Sequence, residues 1–467
     1  MVVLYRKAAA ALSFMLVLWA NCTTAQQKNN YSLSDYIDSA QHHLPLLMQK
    51  TALFDAAKAG VTDARHAYLP SAFVADQVNA GTDNALPGSY FSFGIIPSSS
   101  DGIRSENDYQ TASGNIAILQ SNYELMNFGL KRARIRNAES FADLSQADLN
   151  REIYLLKWDV GKLYFDILKN QLQLGIDQQN VERYNTIYTI IHAITESGIK
   201  PGADSSLAIA ELSKSRISYN QTMGHIRQLQ QQLAYLTGIN IDRITIDTAQ
   251  TKNYLSALNI LSGGAYLDTL NNPLTDYYIK QKNLQLQTED LVKKSYLPKV
   301  FLTGAGWARG SSIDYTGEYK ALSEGLGYQR YNYMVGVSLV YDLVNPVHRK
   351  DKLAISHYNT VASDYDLQQQ VLLLKNVSNQ ADEAIRTSVK NLFEIPIQIK
   401  ASQDTYDQKT AQYKAGIINL IDLTNASFVL YRSQSDYVQT LSDWLLANLD
   451  KAAATGDIDL FIQSIKK

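Results

Sequence analysis

The chain has 467 residues, 45% of them hydrophobic and 19% charged, and its 43 lysines and arginines nearly balance its 45 aspartates and glutamates. A net charge of −2 excludes a strongly basic nucleic-acid binder. The length would suit about three ordinary domains, yet no Pro/Ser/Gly-rich linker divides it.

At the N-terminus, Arg6 and Lys7 precede an apolar run from Ala8 to Ala20 and then Thr23-Thr24-Ala25. This pattern predicts a secretory signal, residues 1–25, cleaved after Ala25. The run falls short of the ~20 residues that span a bilayer, which argues against an uncleaved anchor. Cys22 offers another alternative, a lipidated N-terminus, but Trp19-Ala20-Asn21 lacks the usual small residue directly before the cysteine. Cleavage after Ala25 would remove the chain's one cysteine and with it any thiol chemistry. Past residue 25 no apolar stretch approaches 18 residues, so a role in the membrane would have to use strands.

Two structural repeats follow, residues 26–246 and 247–467, read as one interwoven unit. Each runs helix, extended segment, loop, extended segment, very long helix, turn, helix. In the first, extended segments are expected at about Ser71 to Ala80 and Thr111 to Phe128. Helical pattern then lasts from about Lys131 to Glu196. Leu149, Ile153, Leu156, Val160, Leu163 and Ile167 follow spacings of 4 and 3 in alternation, which is a coiled-coil seam. At ~1.5 Å per residue such a helix reaches roughly 100 Å. The seam weakens near Gly175 and resumes at Val181, Tyr184, Tyr188 and Ile191, so a kink or widened zone is expected there, as near Pro396 in the second repeat. Return helices are expected from about Asp204 to Leu236 and from Asp422 to Leu449. Gly198 and Gly416 suit the stops of the ascending helices, and Asp204 and Asp422 are expected to cap the returning ones. In the second repeat the extended segments are about Lys299 to Trp307 and Tyr331 to Leu343. The latter alternates Tyr333, Val335, Val337, Leu339 and Tyr341 against Asn332, Gly336, Ser338 and Asp342, as a strand does. The other three alternate less regularly, and a soluble sheet is the competing reading. The loops between paired strands are rich in Gly, Ser and polar residues and are expected outside the membrane.

The repeats correspond at two offsets. Tyr68 and Tyr296, like Pro45 and Pro273, are 228 residues apart; Tyr123 and Tyr341, Gly198 and Gly416, Asp204 and Asp422, Tyr219 and Tyr437, and Gly238 and Gly456 are 218 apart. The difference is a longer loop between the strands of the first repeat. Such a period is far too long for a solenoid and marks a duplicated structural half.

Four strands cannot close a membrane barrel, since about eight are the minimum, and open edges cannot face lipid. The chain must therefore oligomerise, and three copies would supply twelve strands. In its order of parts the chain resembles the TolC-like outer membrane efflux proteins. The resemblance is carried by NNPL at Asn271 to Leu274, by the paired YLP motifs at Tyr68 to Pro70 and Tyr296 to Pro298, and by the turn motifs Gly198-x5-Asp204 and Tyr413-x2-Gly416-x5-Asp422-Leu-x2-Ala426.

That resemblance implies a mixed α and β membrane protein: a long α-helical coiled-coil barrel in the periplasm and a transmembrane β-barrel with four strands per protomer, closed by trimerisation. It implies a homotrimer in the outer membrane lipid, working with a periplasmic adaptor and an inner-membrane pump. The hairpin tips would dock the adaptor through Gly198, Ile199, Asp204, Gly416, Ile417 and Ile418, and the tunnel aperture would involve Asp204, Tyr413, Asp422 and Asn425. The chain departs from the family at Ile418, where an arginine helps lock the closed state, and at Asn425, where a second acid stands. Apolar packing of Tyr413 with Ile417, Ile418 and Leu420 is the substitute expected here.

No catalytic constellation accompanies these features. His42 and His43 are adjacent and so point about 100° apart on a helix, without a nearby acid to complete a metal site; no phosphate loop or nucleophile elbow is present. Neither enzyme activity, metal, nor cofactor is expected. A passive exit duct for small molecules or ions is the leading function, with the duct of a type I protein secretion system and a non-conducting envelope-spanning coiled coil as alternatives.

Overall fold

The computed structural model describes residues 31–84, 105–198, 201–248 and 272–466. The expected signal with Cys22, and Ile199 and Lys200 at the first turn, lie outside the described residues. In chain order the elements are α1 (Leu33–His43), α2 (Pro45–His66), β1 (Ser71–Gly81), β2 (Ala112–Met126), α3 (Leu130–Glu196), α4 (Gly202–Thr237), α5 (Pro273–Ser295), β3 (Lys299–Ser311), β4 (Arg330–Val340), α6 (Asn345–Lys414), α7 (Leu420–Thr455) and α8 (Ile458–Lys466). Among the described residues no helix is long and apolar enough to cross a membrane.

The chain forms two compact units, each drawing on both sides of residue 247. One comprises residues 53–145 and 280–365 and contains an antiparallel sheet ordered β1-β2-β3-β4. The register places Val74, Leu119, Gly306 and Tyr333 in one row, and Phe73, Gln120, Ala305 and Met334 in the row beside it. Neighbouring rows face opposite ways. The first face gathers Val74, Val78, Leu119, Leu302, Tyr331, Tyr333, Val335, Val337 and Leu339, whose side chains stay 36% to 87% exposed. The second carries Gln77, Asn79, Gln120, Asn122, Thr303, Asn332 and Ser338, with Thr303 Oγ1 donating to Asn122 Oδ1 at 2.8 Å. Both β1 and β4 are edge strands.

Four strands thus form as expected, with shifted ends. β3 runs four residues beyond Trp307, and a bulge between Glu124 and Met126 lets β2 stop before Phe128. Phe128 (φ 50°) and Gly129 (φ 91°) then turn the chain into α3. The segment between β3 and β4 folds back onto the apolar face. Ser113 Oγ donates to Leu322 O at 2.5 Å, Asn115 Nδ2 donates to Leu326 O at 3.0 Å, and Gln329 N donates to Arg309 O at 2.7 Å.

The other unit, residues 31–52, 146–279 and 366–467 with the exclusions above, is helical. Its seam behaves as the spacing predicts. Leu156, Val160 and Ile167 are buried, and Leu149, Ile153 and Leu163 pack against the same core, which includes Tyr36, Tyr164, Phe165, Leu233, Trp444, Leu449 and Phe461. Asn272 of the NNPL motif is fully buried. Its amide donates to Ala453 O and Ala454 O, both at 3.0 Å, while its Oδ1 accepts from Leu274 N at 2.9 Å. One side chain thus ends α7 and starts α5. Gly238 (φ 70°) and Gly456 (φ 91°) close α4 and α7 in the left-handed conformation, where a side chain would be strained.

Both long helices continue unbroken through the expected weak points, α3 through Gly175 and α6 through Pro396. What interrupts the apolar seam is polar. Asp177, only 1% exposed, accepts from Thr222 Oγ1 at 2.6 Å, Tyr431 OH at 2.8 Å and Gln173 Nε2 at 2.9 Å. Three helices therefore meet on one carboxylate. Burial pushes the Tyr431 phenol above its ordinary pKa, so it stays a donor. In the second repeat the corresponding position is Ile395, buried and apolar, so the two halves are not equivalent here.

Candidate functional site

The residues singled out at the two turns come together in the helical unit. Tyr184, Ile187 and Ile191 of α3, Ala208 and Leu212 of α4, Tyr413 of α6, and Leu420 and Leu423 of α7 form one buried cluster. The turns, 218 residues apart in sequence, therefore share a core. Ile418 packs partly buried against it, whereas Ile417 is 72% exposed and stands outside. Tyr413 is buried. Burial and, second, the nearby Asp204 carboxylate raise its phenol pKa. Asp204 and Asp422 are half-buried and Asn425 is exposed.

Each turn has a physical stop. Gly198 (φ 76°) and Gly416 (φ 74°) adopt the left-handed conformation. At the second turn Gly416 N donates to Tyr413 O at 3.0 Å and Ile417 N to Gln412 O at 2.9 Å, which satisfies carbonyls that the helix end leaves open.

The expected caps are different. Asn419, not Asp422, caps α7: its Oδ1 accepts from Asp422 N at 2.9 Å. Pro201, not Asp204, occupies the cap position of α4 and makes no side-chain cap bond. Both aspartates sit in the first turn of their helices, where they complement the dipole without capping. An asparagine three residues ahead of an acid is itself a recognisable start signal, and it lay in the sequence as Asn419-Leu420-Ile421-Asp422. Replacing Asn419 by alanine is expected to cost ~1 kcal/mol at the start of α7. Hydrogen exchange should quicken at the Asp422 amide, and Asn419→Asp should restore protection; equal protection in all three chains would deny the cap.

Residues 36–239 match the family model described as outer membrane efflux protein. No protein of curated function matches the sequence. Solved structures share the fold over nearly the whole chain. The outer-membrane channel OprN is 16% identical, with 92% of this chain and 91% of that one covered and a TM-score of 0.72.

The first repeat is thus similar to the outer membrane efflux proteins.

Among other structures of this fold, the Campylobacter jejuni CmeC outer membrane channel is 14% identical over 92% of this chain and 86% of its own, with a TM-score of 0.73. The outer membrane protein VceC of Vibrio cholerae is 13% identical over 91% and 96%, with a TM-score of 0.72. At such identities the likeness speaks for the fold: long helices and a four-stranded antiparallel sheet. The chain thus has the mixed α and β architecture that the resemblance implied.

Proposed function

We propose that the chain is one protomer of a homotrimeric outer membrane exit duct, passively conducting small molecules or ions that an inner-membrane pump delivers through a periplasmic adaptor. The observation that carries this reading is the sheet: two unpaired edges and one exposed face that is mostly apolar, with Asp76 and Ser121 among its few polar side chains. Open edges cannot be left in lipid, and an apolar surface of this extent demands either lipid or protein. Three sheets joined edge to edge would answer both demands. The family match gives the setting, and the signal expected over residues 1–25 gives the route.

Adaptor docking is assigned to the two turns, through Gly198, Ile199, Gly416, Ile417 and Ile418, because an isoleucine as exposed as Ile417 is otherwise without a purpose at a turn. A photo-crosslinker at Ile417 should capture a periplasmic adaptor in intact cells. Capture of extracellular proteins alone would reverse the orientation.

Mass measurement in mild detergent should find trimers, and the trimers should conduct ions in lipid bilayers. A monomer with a closed barrel would end the architecture, and trimers without conductance would favour a structural coiled coil. Threefold symmetry would set Asp204 and Asp422 around the mouth, where like charges concentrate counter-ions. With the cap held by Asn419, Asp422→Asn isolates the charge. It should lower cation preference across a salt gradient, and an unchanged reversal potential would remove Asp422 from the aperture.

A further inference from the structure

The starts of the two long helices are charged against expectation. Lys131, Arg132, Arg134 and Arg136 crowd the first two turns of α3, with no acid between Asn127 and Ala138; His348, Arg349, Lys350 and Lys352 do the same on α6, with Asp351 the one acid among them. Cations at a helix N-terminus oppose its dipole. Several other cations of this unit are paired, as Arg65 is with Glu139 at 2.8 Å and Lys282 with Asp364 at 2.6 Å. These eight side chains are all exposed, and none makes an ion pair with a described residue. An anion from outside the chain would resolve both oddities.

The fold says where that anion would be. Met126 pairs with Val300, and Lys299 with Val340, so β2 and β4 deliver both clusters to the same end of the sheet, directly after the exposed apolar face. Two clefts open there, and they correspond in the duplication. One, of about 430 Å³, is lined by Tyr68, Tyr123, Glu124 and Lys131; the other, of about 470 Å³, by Tyr296, Tyr341, Pro346, Arg349, Lys350 and Leu353. Tyr68 is 6% exposed, and its hydroxyl has no hydrogen-bond partner in the first cleft. Lys131 and Arg134 lie over its ring at 5.4 and 5.5 Å. Glu124 makes the first cleft the poorer anion site, and no acid lines the second.

We infer that this end of the sheet binds the phosphate headgroups of anionic phospholipids in the adjoining leaflet, with the cleft at Arg349 and Lys350 as its best-formed pocket. Aromatic residues and cations together suit the headgroup level of a bilayer. The inference rests on the reading that the apolar face contacts lipid.

The test uses the full chain as purified trimers, incubated with phosphatidylglycerol or phosphatidylcholine of equal chain length, with bound lipids counted by native mass spectrometry. Phosphatidylglycerol should be retained preferentially, and R349Q/K350Q should lower that retention by about 25-fold, at about fivefold per cation near an anionic surface. R349K/K350R should keep it, and K131Q/R132Q/R134Q should lose less. Equal retention of the two lipids, no change in R349Q/K350Q, or preferential binding of lipid A or peptidoglycan fragments would overturn the inference. Conductance in neutral bilayers separates the two readings: channels that insert but show no lipid preference refute only the collar, whereas protein that inserts into no bilayer refutes the membrane reading beneath it.

Discussion

Replacing Gly310 by valine is expected to throw the segment between β3 and β4 off the sheet. A Cβ at Gly310 would overlap the carbonyl oxygen of Gly327, and one at Gly325 would overlap Ser113. At Gly310 the obstacle is backbone, so no rotamer change relieves it. Detachment would release the bonds from Ser113 to Leu322, from Asn115 to Leu326 and from Gln329 to Arg309, each with a net value of ~1 kcal/mol. The seated conformation would then lose ~3 kcal/mol, enough to populate the released one heavily. Lys320, held by Asp314 at 3.0 Å, lies in this segment and reports on it. Trypsin should cut after Lys320 many times faster in Gly310→Val, while Gly336→Ala, where nothing stands within 4 Å, should match the unaltered chain. Identical cleavage of all three would mean the segment is not seated on the strands.

Asp177→Ala should produce the largest loss of stability in the helical unit. The substitution takes the carboxylate from Thr222 and Tyr431, while Gln173 keeps Ser435 Oγ at 3.0 Å, and each stranded donor costs ~1–3 kcal/mol. A total of ~3 kcal/mol or more places the variant among severe single substitutions. Asp177→Asn retains one acceptor oxygen and should fall between. The measurement is the rate of loss of helical signal at a fixed elevated temperature in detergent, a readout that does not require reversible unfolding. Conversely, Ile395→Asp at the corresponding point of the second repeat should destabilise, since it puts a carboxylate at a buried apolar position beside Glu394 and Asp436. Asp177→Ala unfolding at the unaltered rate would reduce the three-helix junction to a bystander.

What was legible beforehand was whatever repeats locally. Heptad spacing from Leu149 to Ile167 located a helix of 67 residues, and alternation from Tyr333 to Leu339 located β4. Positive-φ stops were readable at Gly198 and Gly416 because glycine there has one evident use. The partners of Asp177 were not legible, as they stand 45 and 254 residues away and a single polar residue in a weakening seam looks like solvent exposure. The same holds for the back-folded segment, whose fit depends on glycines from different strands and loops meeting. The capping error had another cause. Asp422 and Asn419 are both good cap residues, and correspondence with Asp204 favoured the wrong one; the first repeat has Pro201 at the cap position, so the duplication misled where each half had its own solution. Helix α8 has no counterpart among the sequence expectations, which end the last helix at about Leu449; it is nine residues long, too short for a lasting period, yet Phe461 anchors it in the core.

The seated segment and the basic helix starts together bound the apolar face along the strands. From Leu339 to Tyr331 the uncovered rows span eight residue steps, about 27 Å along a strand at ~3.4 Å each. With the tilt of 35–45° usual for such strands, the height is roughly 20 Å, less than the ~30 Å of an average hydrocarbon core. The protein therefore carries its own thickness gauge. It should fit best in thin bilayers, thin any thicker one around itself, and insert fastest into vesicles made from short-chain lipids.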